Sequence, residues 1–149
     1  NLSPERNDAL RVTYHDSCNP ARAMGLLEEP RYVIKNVCNN YFEMPPQTTR
    51  EQTFCCGAGS GLNTEEIMDI RLRGGLPRGN ALRHVQDKHD VNMMACICAL
   101  DRATLIPVAD YWAPGVKITG VHEMVGNALN LKGQKKRELN LRGEELEEV

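Results

Sequence analysis

The fold of this protein is decided by residues 10–18, which read LRVTYHDSC. From Leu10 to His15 the side chains alternate between apolar and polar or amphipathic, which is the pattern of a β-strand. The polar residues that follow end the strand and leave Cys18 just beyond its carboxyl end. The stretch therefore predicts a strand that delivers a cysteine into a loop.

The rest of the chain repeats this arrangement in an alternating order of strands and helices. Helical spacing covers residues 21–38, where Pro30 breaks the segment or starts a second helix, then 64–75 and a stretch from about 77. Further strands are predicted over 41–44, 91–95 and 116–121, and further helices over 101–111 and 122–131. Such alternation favours parallel strands. We expect an α/β fold, a Rossmann-like three-layer domain with a mostly parallel sheet of about four strands.

Length and terminal composition suggest how the chain is organised. Its 149 residues are 41% hydrophobic, enough for one domain with its own core. We expect this domain to cover residues 1–131, and residues 132–149, rich in lysine, arginine and glutamate, to form a charged tail. Because the first residue is Asn1 and a polar lead-in follows it, we interpret the chain as a C-terminal fragment of a larger protein.

The overall composition excludes several classes of function. A formal net charge of −2 offers no electrostatic surface for nucleic acid. The longest apolar stretch, residues 93–100, is far below the roughly 20 residues that span a bilayer as a helix, so no transmembrane segment is expected. Six cysteines without a secretion signal indicate a reducing compartment, with the cytoplasm as the default, where clustered thiols more often bind metal than form disulfides.

Five of the six cysteines fall at or beyond predicted strand ends. In an open parallel sheet, ligands bind beyond the carboxyl ends of the strands. Cys18 follows the first strand, Cys55 and Cys56 begin a glycine-rich loop, and Cys96 and Cys98 follow the strand over 91–95. Because thiolates are the usual ligands of iron–sulfur clusters, the pattern predicts that these thiols converge on such a cluster.

The loop over residues 55–61, CCGAGSG, is the chemical centre of the sequence. Two adjacent cysteines can serve one cluster only if the loop bends sharply, and Gly57 and Gly59 permit that bend. Successive backbone N–H groups in the same loop could donate to cluster sulfurs or to a thiolate. His15, shortly before Cys18, could donate in the same way or relay a proton.

Several competing interpretations follow from the same residues. Four thiolates also make a good tetrahedral zinc site, so zinc is the main alternative cofactor. Cys38 stands alone in a helical stretch and is interpreted as a small buried hydrophobic residue. His84, His89 and His122 lack a ligand spacing to the cysteines and are assigned to surface or core positions. The glycine loop lacks the Lys-Ser/Thr ending of a phosphate-binding loop, which argues against a nucleotide.

Taken together, residues 11–105 resemble the cysteine-rich CCG domain. This domain occurs in heterodisulfide reductases and in the iron–sulfur subunits of glycolate, lactate and glycerol-3-phosphate dehydrogenases. The resemblance rests on YHDSC at residues 14–18, FCCGAG at 54–59, and Cys96 with Cys98. The family usually ends in Cys-x-x-Cys, whereas here a single residue separates the last two cysteines, so the role of Cys98 as the fifth ligand is open.

The segment over residues 13–102 looks most similar to the DsrK-type subunits of the membrane-bound complex associated with dissimilatory sulfite reduction. This resemblance implies a noncubane [4Fe–4S] cluster, fed by ferredoxin-type clusters upstream in the parent chain. It implies membrane-bound, quinone-linked partner subunits on the cytoplasmic side of the inner membrane. It also implies a small sulfur-carrier protein, such as DsrC, whose cysteines carry a disulfide or trisulfide.

The resemblance also implies roles for single residues. The expected ligands and loop glycines of the cluster are Cys18, Cys55, Cys56, Cys96, Cys98, Gly57 and Gly59. Cys55 and Cys56, with His15 as a proton donor to the leaving thiolate, are the expected catalytic residues of a heterodisulfide-reductase-like oxidoreductase. Two alternatives remain: an iron–sulfur subunit of a 2-hydroxyacid dehydrogenase that passes electrons to quinone, and a non-catalytic zinc-binding module.

Overall fold

The computed structural model describes residues 2–59 and 64–130, and its centre is a parallel sheet of three strands. The strands are β1 (Val12–Tyr14), β2 (Met93–Cys96) and β3 (Lys117–Gly120), and β2 lies in the middle. Both pairings are parallel, so all three carboxyl ends lie at one edge. The predicted α/β fold with a parallel sheet is confirmed.

The strand expected over residues 41–44 is reduced to a single bridge beside β1. The backbone N–H of Val12 donates to the carbonyl of Asn40 at 2.8 Å, and Phe42 N–H donates to the carbonyl of Val12 at 2.8 Å. Pairing stops there because β1 has only three residues and because Pro45 and Pro46 lack the N–H that would continue a ladder. The sheet therefore has three strands and a bridge rather than about four strands.

Five α-helices surround this sheet in the described part of the chain. They are α1 (Glu29–Val37), α2 (Met68–Gly74), α3 (Leu76–His89), α4 (Ala99–Trp112) and α5 (Val121–Ala128). The helix expected over 21–38 is divided into a short π-helix, Asn19–Ala23, and α1, with a left-handed residue at Gly25 between them. Pro30 lies in the first turn of α1, where its missing N–H costs nothing, so it starts the second helix as predicted. Throughout residues 2–59 and 64–130, no helix has the length and apolarity needed to cross a membrane.

The core consists of two apolar clusters on opposite faces of the sheet. Successive side chains of a strand point to opposite faces. Met94 packs with Leu82 and Leu105, from α3 and α4, whereas Met93 packs with Ile34 and Met124, from α1 and α5. Helices thus cover both faces, which gives the expected three layers. The charged tail predicted for residues 132–149 lies outside the described residues.

Helices α2, α3 and α4 are held close together by small residues and one indole. A Cβ on Gly79 of α3 would lie 2.5 Å from the Cβ of Trp112, and a Cβ on Gly75 would lie 2.6 Å from Cγ2 of Val108. The Trp112 indole N–H donates to the carbonyl of Leu72 at 2.8 Å. The junction between α2 and α3 is therefore packed tightly against α4.

Candidate metal centre

Three of the predicted cysteines lie at or beyond the carboxyl edge of the sheet. Cys96 is the last residue of β2 and is buried, and its thiol lies 3.5 Å from the carbonyl of Thr119 on β3. Cys98 immediately precedes α4 and is half-buried. Cys18 lies beyond β1, immediately before the π-helix, and is exposed. The ends of β1 and β2 thus both carry cysteine, as the sequence predicts.

The glycine-rich loop presents its two cysteines in different directions. Cys55 is exposed whereas Cys56 is buried, and the backbone N–H of Gly57 donates to the Cys55 sulfur at 3.3 Å. Gly57 has φ +94°, and a Cβ there would lie 2.6 Å from the carbonyl oxygen of Arg71. Only glycine fits this backbone conformation and this close approach. Gly59 lies beside Cys55, where a Cβ would be 3.9 Å from the sulfur.

Asp101, in the first turn of α4, is the neighbour that connects the cysteine-bearing elements. Its carboxylate is buried and lies 3.6 Å from Nε2 of His15, which follows β1 directly. Burial raises the pKa of Asp101, but interactions with His15, Ser17 and the Cys56 thiol outweigh burial and leave the pKa below its ordinary value. A negative carboxylate therefore stands between the end of β1 and the Cys56 loop.

His15 is fully enclosed but its ring makes no hydrogen bond to any described residue. The backbone N–H of His15 donates to the carbonyl of Ala95 at 2.9 Å, which fixes the residue against β2. Both ring nitrogens, the Ser17 hydroxyl and Oδ2 of Asp101 lack partners within the described ranges. Burial lowers the pKa of His15 despite the opposing effect of Asp101, so the ring is neutral near pH 7.

The buried thiols are held in the protonated form. Burial raises the pKa of Cys56 to about 11 and that of Cys96 to about 12, and the charge of Asp101 adds to both shifts. A thiol must lose its proton to bind metal. Binding at Cys56 and Cys96 would therefore release protons near the Asp101 carboxylate.

A buried ion-pair network fixes the loop between β1 and Cys18. Arg31 of α1 donates to both carboxylate oxygens of Asp16 at 2.7 and 2.6 Å, and also to Glu43 at 2.7 and 3.0 Å. Asp16 also accepts the backbone N–H of Arg50 at 2.8 Å. Removing one member of such a buried pair typically lowers the stability of the protein by about 3–5 kcal/mol. The network therefore holds the loop after β1 firmly in place.

A second buried arginine, Arg78 of α3, lies beneath the Cys55–Cys56 loop. It donates to the carbonyl of Thr48 at 2.6 Å and to the hydroxyl of Thr53 at 2.8 Å. The Thr53 hydroxyl in turn donates to the carbonyl of Asp16 at 2.8 Å. The guanidinium carbon lies 5.8 Å from the centre of the Phe54 ring, directly before the two cysteines. Arg78 thereby connects the loop after β1 with the cysteine pair.

The structure brings some predicted site residues together and sets others apart. Asp101 links His15 with Cys56 and also influences Cys96, whereas Cys18 and Cys55 are exposed to solvent. Cys38 lies in the core on the α1 and α5 face, where its thiol is 3.8 Å from the carbonyl of Leu10. Its interpretation as a packing residue is confirmed.

The other histidines lie at the surface or in packing contacts, as expected. His84 and His122 are exposed, and the half-buried His89 stacks on Phe42 with ring centres 4.8 Å apart. Sequence reasoning missed Asp101, Arg31 and Arg78. For Arg78 a signal existed, because it precedes the apolar Ala81, Leu82 and Val85 at the spacing of one helix face.

The donor set can be compared with the two cofactors that thiols favour. Within residues 2–59 and 64–130, no three His, Cys, Asp or Glu side chains lie close enough to hold one metal ion. Four thiolates around one zinc must lie about 3.8 Å apart, given a Zn–S distance of about 2.3 Å, whereas each cysteine of a cluster binds an iron of its own. The absence of three such ligands around one point among the described residues fits a cluster, with its iron atoms spread over several ligands, better than a single zinc ion.

Comparison with known proteins gives the same class of site. The family model described as "CCG: Cysteine-rich domain" matches residues 12–96. An "Hdr-like menaquinol oxidoreductase iron-sulfur subunit" of Archaeoglobus profundus is 52% identical over 99% of this chain, and subunit 2 of the same type in Archaeoglobus fulgidus is 49% identical over 97%. One subunit of the dihydromethanophenazine:CoB--CoM heterodisulfide reductase of Methanosarcina mazei is 31% identical over 86%.

These matches cover only part of the relatives. The chain spans 27% of the length of either Archaeoglobus protein and 30% of the Methanosarcina subunit. No solved structure matches the chain. The family match nevertheless extends from the first strand to Cys96, and the chain belongs to the family of CCG cysteine-rich domains, with relatives among the iron–sulfur subunits of heterodisulfide-reductase-like oxidoreductases.

Proposed function

We propose that this chain is the cluster-binding domain of a heterodisulfide-reductase-type oxidoreductase. The observation that carries the proposal is the position of Asp101, which connects His15 after β1 with Cys56 in the glycine-rich loop and influences Cys96 at the end of β2. Three separate cysteine-bearing segments therefore border one buried site. Membership of the CCG family supports an iron–sulfur cluster as its cofactor.

The residues proposed to hold a noncubane [4Fe–4S] cluster are Cys18, Cys55, Cys56, Cys96 and Cys98. When bound, the cluster would take up and release single electrons, which the reduction of a disulfide needs in pairs. Cys98 precedes α4 and is half-buried, so it can supply a fifth ligand only if its side chain faces the loop. Gly57 fixes the bend that lets Cys55 and Cys56 diverge.

We assign His15 to proton supply rather than to ligation. Its ring is neutral and has no other partner among the described residues, while Asp101 lies 3.6 Å away to orient it and to stabilise its charged form. Cleaving a disulfide consumes two electrons and two protons and leaves two thiols. Because its ring is neutral, His15 would first take up a proton from solvent, with Asp101 stabilising the charged form, and would then pass it to the thiolate released from the substrate beside Cys55 and Cys56. The second proton would come from solvent.

The proposed substrate is a disulfide or trisulfide on a small sulfur-carrier protein such as DsrC, reduced or oxidised in sulfur metabolism. A protein-borne substrate is supported by the exposure of Cys18 and Cys55 together with the exposed apolar side chains Ile97 and Leu100 beside Cys98. The Archaeoglobus relatives are named for menaquinol, which supports a quinone-linked membrane complex as electron partner. We propose a peripheral position on the cytoplasmic side, with ferredoxin-type clusters upstream.

Anaerobic cluster reconstitution tests this function. The protein should bind about four iron and four sulfide with no stoichiometric zinc, and its paramagnetic signal should change when oxidised carrier protein is added. Cys56→Ala and Cys96→Ala should lose cluster, whereas Cys38→Ala, which changes a buried cysteine packed on the α1 and α5 face, should keep it. Binding of one zinc without sulfide would refute the proposal. A full cluster whose paramagnetic signal does not change with any disulfide would limit the function to electron relay.

A further inference from the structure

Arg78 is a buried cation without an ion-pair partner among the described residues. Its side chain is 0% exposed, and the three atoms that accept from it or lie against it are all neutral: the carbonyl of Thr48, the hydroxyl of Thr53 and the sulfur of Met44. Its Nε has no partner in the described ranges either. Arg31, equally buried, is by contrast neutralised by Asp16 and Glu43. Proteins bury a charge only where an opposite charge offsets the loss of hydration.

No nearby carboxylate forms an ion pair with Arg78 within residues 2–59 and 64–130. Asp16 receives both Arg31 and the Arg50 backbone, and Asp101 lies beside the neutral ring of His15. Burial lowers the pKa of Arg78 to about 10, against the opposing effect of the charges of Asp16, Asp101 and Glu43, so the guanidinium remains positive at neutral pH. The site beside Arg78 that still lacks an anion is the cysteine loop itself.

The cysteine loop requires a positive charge for a separate reason. Cys56 is buried and its sulfur lies beside the Asp101 carboxylate. A cluster held there by thiolates would bring negative charge into this buried region, and each electron added to it would bring one more negative charge. Arg78, reaching Thr53 and lying over Phe54 directly before the cysteine pair, is placed to offset both charges.

We propose that Arg78 is the charge-compensating residue of the cluster site, where its buried guanidinium offsets the Cys56 thiolate and stabilises the reduced state of the cluster. The step involved is the gain of one electron from a low-potential donor, without a bond change or a proton at Arg78. This inference rests on the proposed function, because it requires a cluster at the cysteine loop.

The test is an anaerobic redox titration of the protein with dithionite as reductant, followed by electron paramagnetic resonance. Arg78→Gln removes the charge but keeps an N–H donor, and Arg78→Lys keeps the charge but loses the planar fork. Arg83→Gln is the matched control, because Arg83 lies on the same helix, pairs with Asp87 and is 52% exposed, so its loss changes net charge equally at a solvated position.

At the wild-type midpoint potential, Arg78→Gln should lower the ratio of reduced to oxidised cluster at least about tenfold, equivalent to a shift of about 59 mV for one electron. Arg78→Lys and Arg83→Gln should stay within about twofold of wild type. A midpoint in Arg78→Gln equal to that of Arg83→Gln would overturn the inference.

Cluster content separates the possible failures. A wild-type protein that binds no iron and sulfide would refute the proposed function itself, whereas a loaded Arg78→Gln with an unchanged midpoint would refute only the role of Arg78. If Arg78→Gln does not load, Arg78→Lys decides: loading by the lysine variant supports compensation by charge. Loss of loading in both variants would assign Arg78 to hydrogen bonding with Thr48 and Thr53 alone and would overturn the inference.

Discussion

Replacing Gly57 by alanine should be among the most damaging one-methyl changes in the domain. The backbone of Gly57 has φ +94°, and an alanine forced into positive φ pays about 1–2 kcal/mol. The new Cβ would also lie 2.6 Å from the carbonyl oxygen of Arg71 and 3.1 Å from the backbone nitrogen of Gly75. Because both contacts are backbone atoms, relief requires a shift of the α2–α3 junction, at the overpacking cost of about 1–3 kcal/mol.

The two costs together amount to about 2–5 kcal/mol, a large part of the roughly 5–15 kcal/mol that stabilises a typical domain. Two other glycines separate these costs. Gly25 has φ +66°, but a Cβ there would have no described atom within 4 Å, so Gly25→Ala should pay only the conformational part. Gly126, inside α5, has neither problem, and Gly126→Ala should stabilise by about 0.5–1 kcal/mol.

The assay is urea unfolding of the reduced, cluster-free protein, in which the midpoint shifts at constant slope report the change in the free energy of unfolding. The expected order of stability is Gly126→Ala, wild type, Gly25→Ala, Gly57→Ala. A Gly57→Ala variant no less stable than Gly25→Ala would show that the loop does not pack against the α2–α3 junction. The bend assigned to the cysteine pair would then be wrong.

Three further predictions concern the reactive and titrating groups of the cluster-free protein. Iodoacetamide at a pH of about 7.5 should label the exposed Cys18 and Cys55 well before Cys96, whose burial raises its pKa to about 12, and equal rates measured by mass spectrometry would contradict this placement. Burial lowers the pKa of His15 below 6.5, so the unfolded chain binds a proton at this residue more readily than the folded protein does. The contribution of His15 to the free energy of unfolding should therefore be complete above pH 6.5 and should decrease as the pH falls below it. His15→Gln should flatten this pH dependence in urea titrations, and an unchanged slope would refute the assignment. Cys38→Ala should lower stability modestly by loss of packing yet leave the iron content unchanged, and loss of iron would place Cys38 in the site.

The sequence allowed prediction of those parts of the fold that depend on local pattern. Alternation over residues 10–15 and the apolar run before Cys96 predicted β1 and β2, and the parallel order followed from the helices between them. The prediction of a strand over 41–44 was wrong because a strand needs a partner to pair with, and β1 has only three residues. The strand propensity of one segment does not predict how long its neighbouring strand will be.

The candidate site was predictable in its cysteines but not in its charges. Spacing and adjacency single out Cys55 and Cys56. A charged residue on a helix is normally solvated, so the burial of Arg31, Arg78 and Asp101 was not predicted. Their burial results from tertiary contacts between segments distant in sequence, such as Arg78 with Thr48. The partners of a buried charge become visible only once the chain is folded.

The close packing of α2, α3 and α4 gives the molecule an optical reporter. Trp112 is the only tryptophan in the sequence, and it lies against Gly79 while bonded to the carbonyl of Leu72. Those two residues flank the junction on which Gly57 rests. Any rearrangement of the cysteine loop that moves this junction must therefore change the surroundings of a single indole, whose fluorescence would follow the loop without an added label.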